Sequence, residues 1–138
     1  MKRYLLDTSL VAAYLQNRKT AVELVTPWIQ DREAATSILV YAEVTEYIKS
    51  LPDFQKRLHD FRNLLRTIYP YFLTYSILER YADIRRSLRS PKGVGLIGDV
   101  DTLIAATALE RNLTIVTTDG DFERVPKLKV KRVNLKTT

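Results

Sequence analysis

Short apolar or β-branched runs alternate along this chain with longer segments whose apolar residues recur every three or four positions. That alternation limits the fold more than any other feature, because it is the pattern of strands and crossover helices in an α/β protein with a parallel sheet. The short runs are Tyr4-Leu5-Leu6, Ala34-Ala35-Thr36, Tyr71 to Tyr75, Thr114 to Thr118 and Lys129 to Val133. Between them, helices are expected over Leu10 to Gln16, capped by Thr8 or Ser9, and over Thr20 to Thr26, where Pro27 should end or kink the second. A longer helix should run from Ile38 to about Ser50. Pro52 should open another, with Phe54, Leu58, Phe61, Leu65 and Ile68 at helical spacing. Ser76 and Glu79 form a capping-box pattern for a helix carrying Ile77, Tyr81, Ile84 and Leu88 inward. Residues 90–98, with Pro91, Gly93, Gly95 and Gly98, form the one long loop. The last helix should span about Asp99 to Arg111, closed by Asn112.

The 138 residues fit one domain, 1–138, with no internal repeat and no linker. No apolar run is long enough to cross a bilayer as a helix. The N-terminal Met1-Lys2-Arg3-Tyr4-Leu5-Leu6-Asp7 meets an acid too early for a signal-peptide core, so a cytoplasmic protein is expected. Lacking cysteine, the chain has neither disulfides nor thiolate zinc sites. Its 22 basic and 16 acidic residues give a net charge of +6, which favours polyanionic partners.

Against that basic background four carboxylates stand out. Asp7 and Asp119 each follow a buried strand, and in open parallel sheets ligands bind beyond the carboxyl ends of the strands, where strand order reverses. Glu43 shares a helix face with Val40 and Tyr47, which places a carboxylate toward the sheet; Glu46, three residues before Lys49, is a surface charge. Asp99 and Asp101 both open the last helix, more acid than capping requires. Asp101 aligns with Ile104, Ala105 and Ala108 and is assigned inward, while Asp99 is left for the N-cap or a supporting role. Brought together, Asp7, Glu43, Asp101 and Asp119 would resist common ionisation without a cation. Hard oxygen donors with no cysteine select Mg²⁺ or Mn²⁺. An acidic hole in a basic surface suits a phosphodiester, with the cation on the scissile phosphate and the surroundings on the backbone.

These pieces, in order, resemble the PIN-domain family: Leu5-Leu6-Asp7-Thr8-Ser9, Tyr41-Ala42-Glu43-Val44, Asp101-Thr102-Leu103-Ile104-Ala105-Ala106-Thr107-Ala108, and Val116-Thr117-Thr118-Asp119 followed by Asp121-Phe122. They span the chain, and its length resembles the VapC-type toxins of type II toxin–antitoxin systems. The resemblance implies a three-layer α/β/α, Rossmann-related fold and an Mg²⁺- or Mn²⁺-dependent endoribonuclease. It implies Asp7 and Asp101 as principal metal ligands, Glu43 and Asp119 completing the site, and Thr8 or Ser9 orienting the first Asp or a water. It also implies a homodimer and a cognate antitoxin. The chain departs from the pattern after the fourth strand, where Asp119-Gly120-Asp121-Phe122 is compressed, which leaves the division of labour between Asp119 and Asp121 open.

Arg85, Arg86, Arg89 and Lys92 lead toward the proposed site and are candidates for RNA phosphates, with a solvated helix face as the plain alternative. Lys127, Lys129, Lys131 and Arg132 suit a charged edge strand. The one histidine, His59, sits among surface charges, which sets aside a His-based ribonuclease or a Ser-His-Asp hydrolase. A haloacid dehalogenase-type phosphatase needs a second Asp where Ser9 stands, and a receiver domain needs adjacent acids where Thr8 follows Asp7. A non-catalytic RNA- or protein-binding PIN module is the remaining alternative; it would gain from losing the very acids that are present.

Overall fold

A computed structural model of the chain describes residues 1–89, 91 and 93–135. Five strands, β1 (Tyr4–Leu6), β2 (Ala34–Ser37), β3 (Tyr69–Tyr71), β4 (Thr114–Thr117) and β5 (Val130–Arg132), form one sheet in the order β3-β2-β1-β4-β5. Every neighbouring pair is parallel. A parallel sheet is covered on both faces, so its inner strands carry unbroken runs of apolar or small residues. Leu5, Leu6, Ala34, Ala35, Thr36, Ser37, Ile115, Val116 and Thr117 are accordingly all buried.

Among the described residues six α-helices connect the strands: α1 (Thr8–Leu15), α2 (Lys19–Gln30), α3 (Ile38–Lys49), α4 (Phe54–Leu64), α5 (Tyr75–Leu88) and α6 (Asp99–Glu110). The chain steps outward from β1 to β2 to β3 and then returns to β4 beside β1. Right-handed crossovers place α1 to α4 on one face and the packed pair α5 and α6 on the other, the three-layer α/β/α arrangement. The core between the layers includes Phe61, Phe122, Leu10, Ile68, Ile77, Leu88 and Ile104, all nearly inaccessible to solvent. Each such side chain contributes roughly 1.5–3 kcal/mol by leaving water.

Several local expectations are corrected. Helix α2 runs through Pro27 to Gln30 without stopping. Proline frees the carbonyl one turn earlier, that of Glu23, and both residues face solvent, where water can satisfy it. Beyond the proline, Trp28 stacks on Tyr4 of β1 with ring centroids 3.9 Å apart and holds the last turn down. Helix α1 is capped by Asp7 rather than Thr8 or Ser9, and α5 by Thr74, whose hydroxyl accepts from the Ile77 N–H at 3.2 Å. Because Thr74 caps a helix, the third strand is not Tyr71 to Tyr75 but Tyr69–Tyr71. Pro70 is tolerated there because β3 is an edge. Helix α4 ends at Leu64, so Ile68 is buried beyond it, and Phe54 at the other end is 37% exposed.

The loop before α6 folds back onto α5. Gly95, at φ 107°, donates its N–H to the Leu88 carbonyl at 2.8 Å. A Cβ on Gly93 would lie 2.3 Å from the Leu88 carbonyl carbon, so only glycine fits this approach. That return buries Ile97 and sets where Gly98 starts α6.

Candidate active site

The order β3-β2-β1-β4-β5 reverses direction between β1 and β4, and this is where an open sheet leaves a crevice. The register sets Leu6 opposite Val116, so the next residues, Asp7 and Thr117, face each other across the two strands. Asp7 leaves β1 with its backbone N–H bonded to the Val116 carbonyl at 3.2 Å. Its side chain turns back to cap α1, Oδ1 accepting from the Leu10 N–H at 3.2 Å and from the Ser9 hydroxyl at 2.6 Å. Oδ2 accepts from the Thr117 hydroxyl. Donors from Ser9, Leu10 and Thr117 thus fix the rotamer of the Asp7 carboxylate. Burial pushes the Asp7 carboxyl above its ordinary range, while the bonds from Ser9, Thr117 and Leu10 pull it back.

Strand β2 passes directly into α3, whose N-cap Ser37 accepts from the Leu39 N–H at 3.1 Å. The inward stripe of α3 is Val40, Val44 and Ile48; Tyr47, expected on that face, is 48% exposed. Glu43 therefore sits at the border of the stripe, half-buried, and its Oε1 accepts from the Thr8 hydroxyl of α1. On α6 the small residues Ala105, Ala106 and Ala108 allow close approach to neighbouring elements, and Thr102 and Thr107 bond back to the helix's own carbonyls. This close packing carries the half-buried Asp101 into the same crevice.

Asp7, Thr8, Ser9, Glu43, Asp101, Ile104, Thr118 and Asp119 line one cleft of about 310 Å³. The Asp101 carboxyl is pushed up to about 6, first by burial and then by the negative charges of Asp119, Glu43, Asp7 and Asp121. The four predicted acids and Asp121 therefore act on one point. Among the described residues, no three Asp, Glu or His side chains already stand at metal-holding distance. Like charges in a partly buried cleft repel, so Glu43, Asp101 and Asp119 would have to rotate toward the fixed Asp7 around a cation. The donor set fits a hard divalent ion: carboxylate oxygens from four elements, and a carboxyl whose proton affinity is raised by its neighbours.

Supporting residues divide differently from the expectation. Ser9 orients Asp7, whereas Thr8 orients Glu43. Asp119 caps a 3-10 turn over Gly120–Arg124, accepting from the Asp121 N–H at 2.8 Å, and Asp121 pairs with Arg124 at 3.3 Å. Asp99 does not cap α6, since Gly98 holds that position. Instead it is exposed and pairs with Arg85 at 2.6 Å, and the Tyr81 hydroxyl also donates to it. Arg85 is thus engaged by a carboxylate, while Arg86 and Arg89 are exposed; Lys92 lies outside the described residues. Thr117 was not singled out from sequence. It is fully buried, donates to Asp7 and accepts from the Asp119 N–H at 2.9 Å, joining both acidic loops. The signal was a hydroxyl in the last position of a buried strand, just before the Thr118-Asp119 turn.

The PIN domain family model matches residues 4–128. No curated protein matches the chain. The VapBC2 structure from Rickettsia felis, bound to a DNA fragment from its promoter, aligns with a TM-score of 0.83 at 20% identity, over 95% of this chain and 98% of the other. DNA-bound VapBC from Salmonella typhimurium gives 0.83 at 19%, over 96% and 98%. FitAcB from Neisseria gonorrhoeae gives 0.74 at 24%, over 96% and 97%. The matched span carries β1 to β4, the crevice and all four acids of the cleft, and the chain belongs to the PIN domain family.

Proposed function

We propose that this protein is a Mg²⁺- or Mn²⁺-dependent endoribonuclease, acting in the cytoplasm as the toxin of a VapBC-type pair. The single observation that carries the reading is the cleft beyond β1 and β4, where the charges of Asp119, Glu43, Asp7 and Asp121 converge on Asp101. A divalent ion held there would polarise the scissile phosphate and activate a water for in-line attack. Asp7, which lines the cleft, offers the fixed ligand, its rotamer set by Ser9, the Leu10 N–H and Thr117. Asp101, on a different element, brings the second carboxylate, and its raised proton affinity is relieved when positive charge arrives. Glu43, held by Thr8, and Asp119 close the two sides.

Likeness of fold to toxin–antitoxin structures supports a cognate antitoxin as partner, and the VapC resemblance adds a homodimer. The basic balance of the sequence, +6, supports RNA as substrate. Among the described residues no helix is long and apolar enough to cross a membrane. The test is cleavage of single-stranded RNA in Mg²⁺ or Mn²⁺ by the wild type and by Asp7→Asn. The wild type should cut and the variant should be impaired by orders of magnitude. Equal rates would reject the site, and RNA binding without cleavage by the wild type would favour a non-catalytic module.

A further inference from the structure

Beside the acid cleft, and continuous with it through the shared residues Ser9 and Thr118, lies a second and larger groove of about 780 Å³. It runs between α1 and the chain leaving β5, past Gln16, Arg18 and Arg132, and no Asp or Glu is among the described residues lining it. Two neighbouring concavities therefore carry opposite charge. We infer that this groove is a strand-binding subsite that holds the backbone phosphates of single-stranded RNA next to the bond placed over the acid cleft. The inference rests on the nuclease reading and extends it from the reacting phosphate to its neighbours.

Both guanidinium groups are placed rather than loose. Arg18 donates from Nη2 to the Leu135 carbonyl at 2.7 Å, tying the start of α2 to the chain after β5. Arg132, in the last position of β5, lies over Gly120, where a Cβ would come within 2.8 Å of its Nη1. Glycine after Asp119 thus lets a guanidinium settle against the very turn that presents an acidic ligand. Strand alternation separates Arg132 from its neighbour Lys131. Both are exposed on the edge strand, and Arg132 is the one that lines the groove. Glu123 pairs with Arg132 at 3.2 Å and is 54% exposed, so part of the arginine's charge is already spent and can be released. A guanidinium offers several N–H donors in a planar fork suited to phosphate oxygens. Without a cation the acid cleft repels a polyanion, so the groove supplies the affinity that does not need metal.

The experiment measures anisotropy of a fluorescein-labelled single-stranded oligoribonucleotide in EDTA as salt is raised, for the folded full chain and its variants. For a single strand, each phosphate contact contributes about 0.7 to the slope of log K against log salt. Arg132→Gln should weaken binding several-fold and flatten the slope by about 0.7, Arg132→Lys should restore most of the slope, and Glu123→Gln should tighten binding. With Mn²⁺ present, Arg132→Gln should raise KM on the oligonucleotide with little change in kcat. Wild-type affinity and slope in both Arg132→Gln and Glu123→Gln would overturn the subsite. So would a loss confined to binding of an acidic peptide such as oligoglutamate, which would mark the groove as a protein dock. A wild type that binds RNA through the groove yet leaves it uncut in Mg²⁺ and Mn²⁺ would overturn the nuclease reading alone.

Discussion

Replacing Asp101 with asparagine should make the metal-free protein more stable while removing its capacity to respond to a divalent ion. In the folded chain the Asp101 carboxyl is held at about 6 against an ordinary 3.8, by burial and by the charges of Asp119, Glu43, Asp7 and Asp121. At 1.36 kcal/mol for each tenfold in proton affinity, that interval corresponds to roughly 3 kcal/mol. Asp101 is only half-buried, so solvent screening reduces the penalty to about 1–2 kcal/mol. The sign follows from linkage. A carboxyl with a raised folded-state value costs nothing below about pH 4, where it is protonated folded or unfolded. The cost grows between about pH 4 and 6 and is complete above that. Asp101→Asn lacks the charge, so in EDTA at about pH 7.5 its melting temperature should exceed that of the wild type by roughly 3–6 °C. The advantage should vanish near pH 4. Adding Mn²⁺ should reverse the order, raising the wild type and leaving the variant nearly unmoved. Thermal melts across this pH range, with and without Mn²⁺, read all three effects. A variant no more stable than the wild type at pH 7.5 in EDTA would refute the convergence of charge on Asp101.

Thr117→Val keeps the shape of a fully buried side chain but removes its donation to Asp7 and its acceptance from the Asp119 N–H. Loss of a hydrogen bond to a charged group should cost about 1.5–3 kcal/mol, measured by urea unfolding at neutral pH, and Mn²⁺ affinity should fall with it. Gly93→Ala forces a Cβ against the Leu88 backbone at 2.3 Å. Overpacking of this kind should cost about 1–3 kcal/mol by the same measurement, and cleavage should fall as well because the loop sets the start of α6.

How much of this was legible in the sequence depended on whether local chemistry or tertiary context decided each element. Tyr4–Leu6, Thr114–Thr117, α3 and α6 could be read directly, because buried parallel strands and amphipathic helices announce themselves by composition and period. Elements decided by a partner were misread. Pro27 stays inside α2 because Trp28 is anchored on Tyr4, and the aromatic run after Tyr71 yields to Thr74 acting as a cap. The acids of the cleft were visible because carboxylates at strand ends and on a helix's inward side need a reason to be there. Their supporting hydroxyls were not, since Thr117 meets Asp7 only through a strand register 110 residues apart in the chain. Asp99 looked like a cap for the same reason that it pairs with Arg85: an exposed acid at a helix start takes whichever positive charge the fold supplies.

The central claim is that distant carboxylates share one divalent ion beyond β1 and β4. Anomalous scattering from crystals soaked in Mn²⁺ tests it most directly. A peak in the cleft, coordinated by Asp7 and Asp101 with Glu43 or Asp119 beside it, is the predicted result. A cleft that stays empty at saturating Mn²⁺, or a peak held by other residues alone, would contradict it.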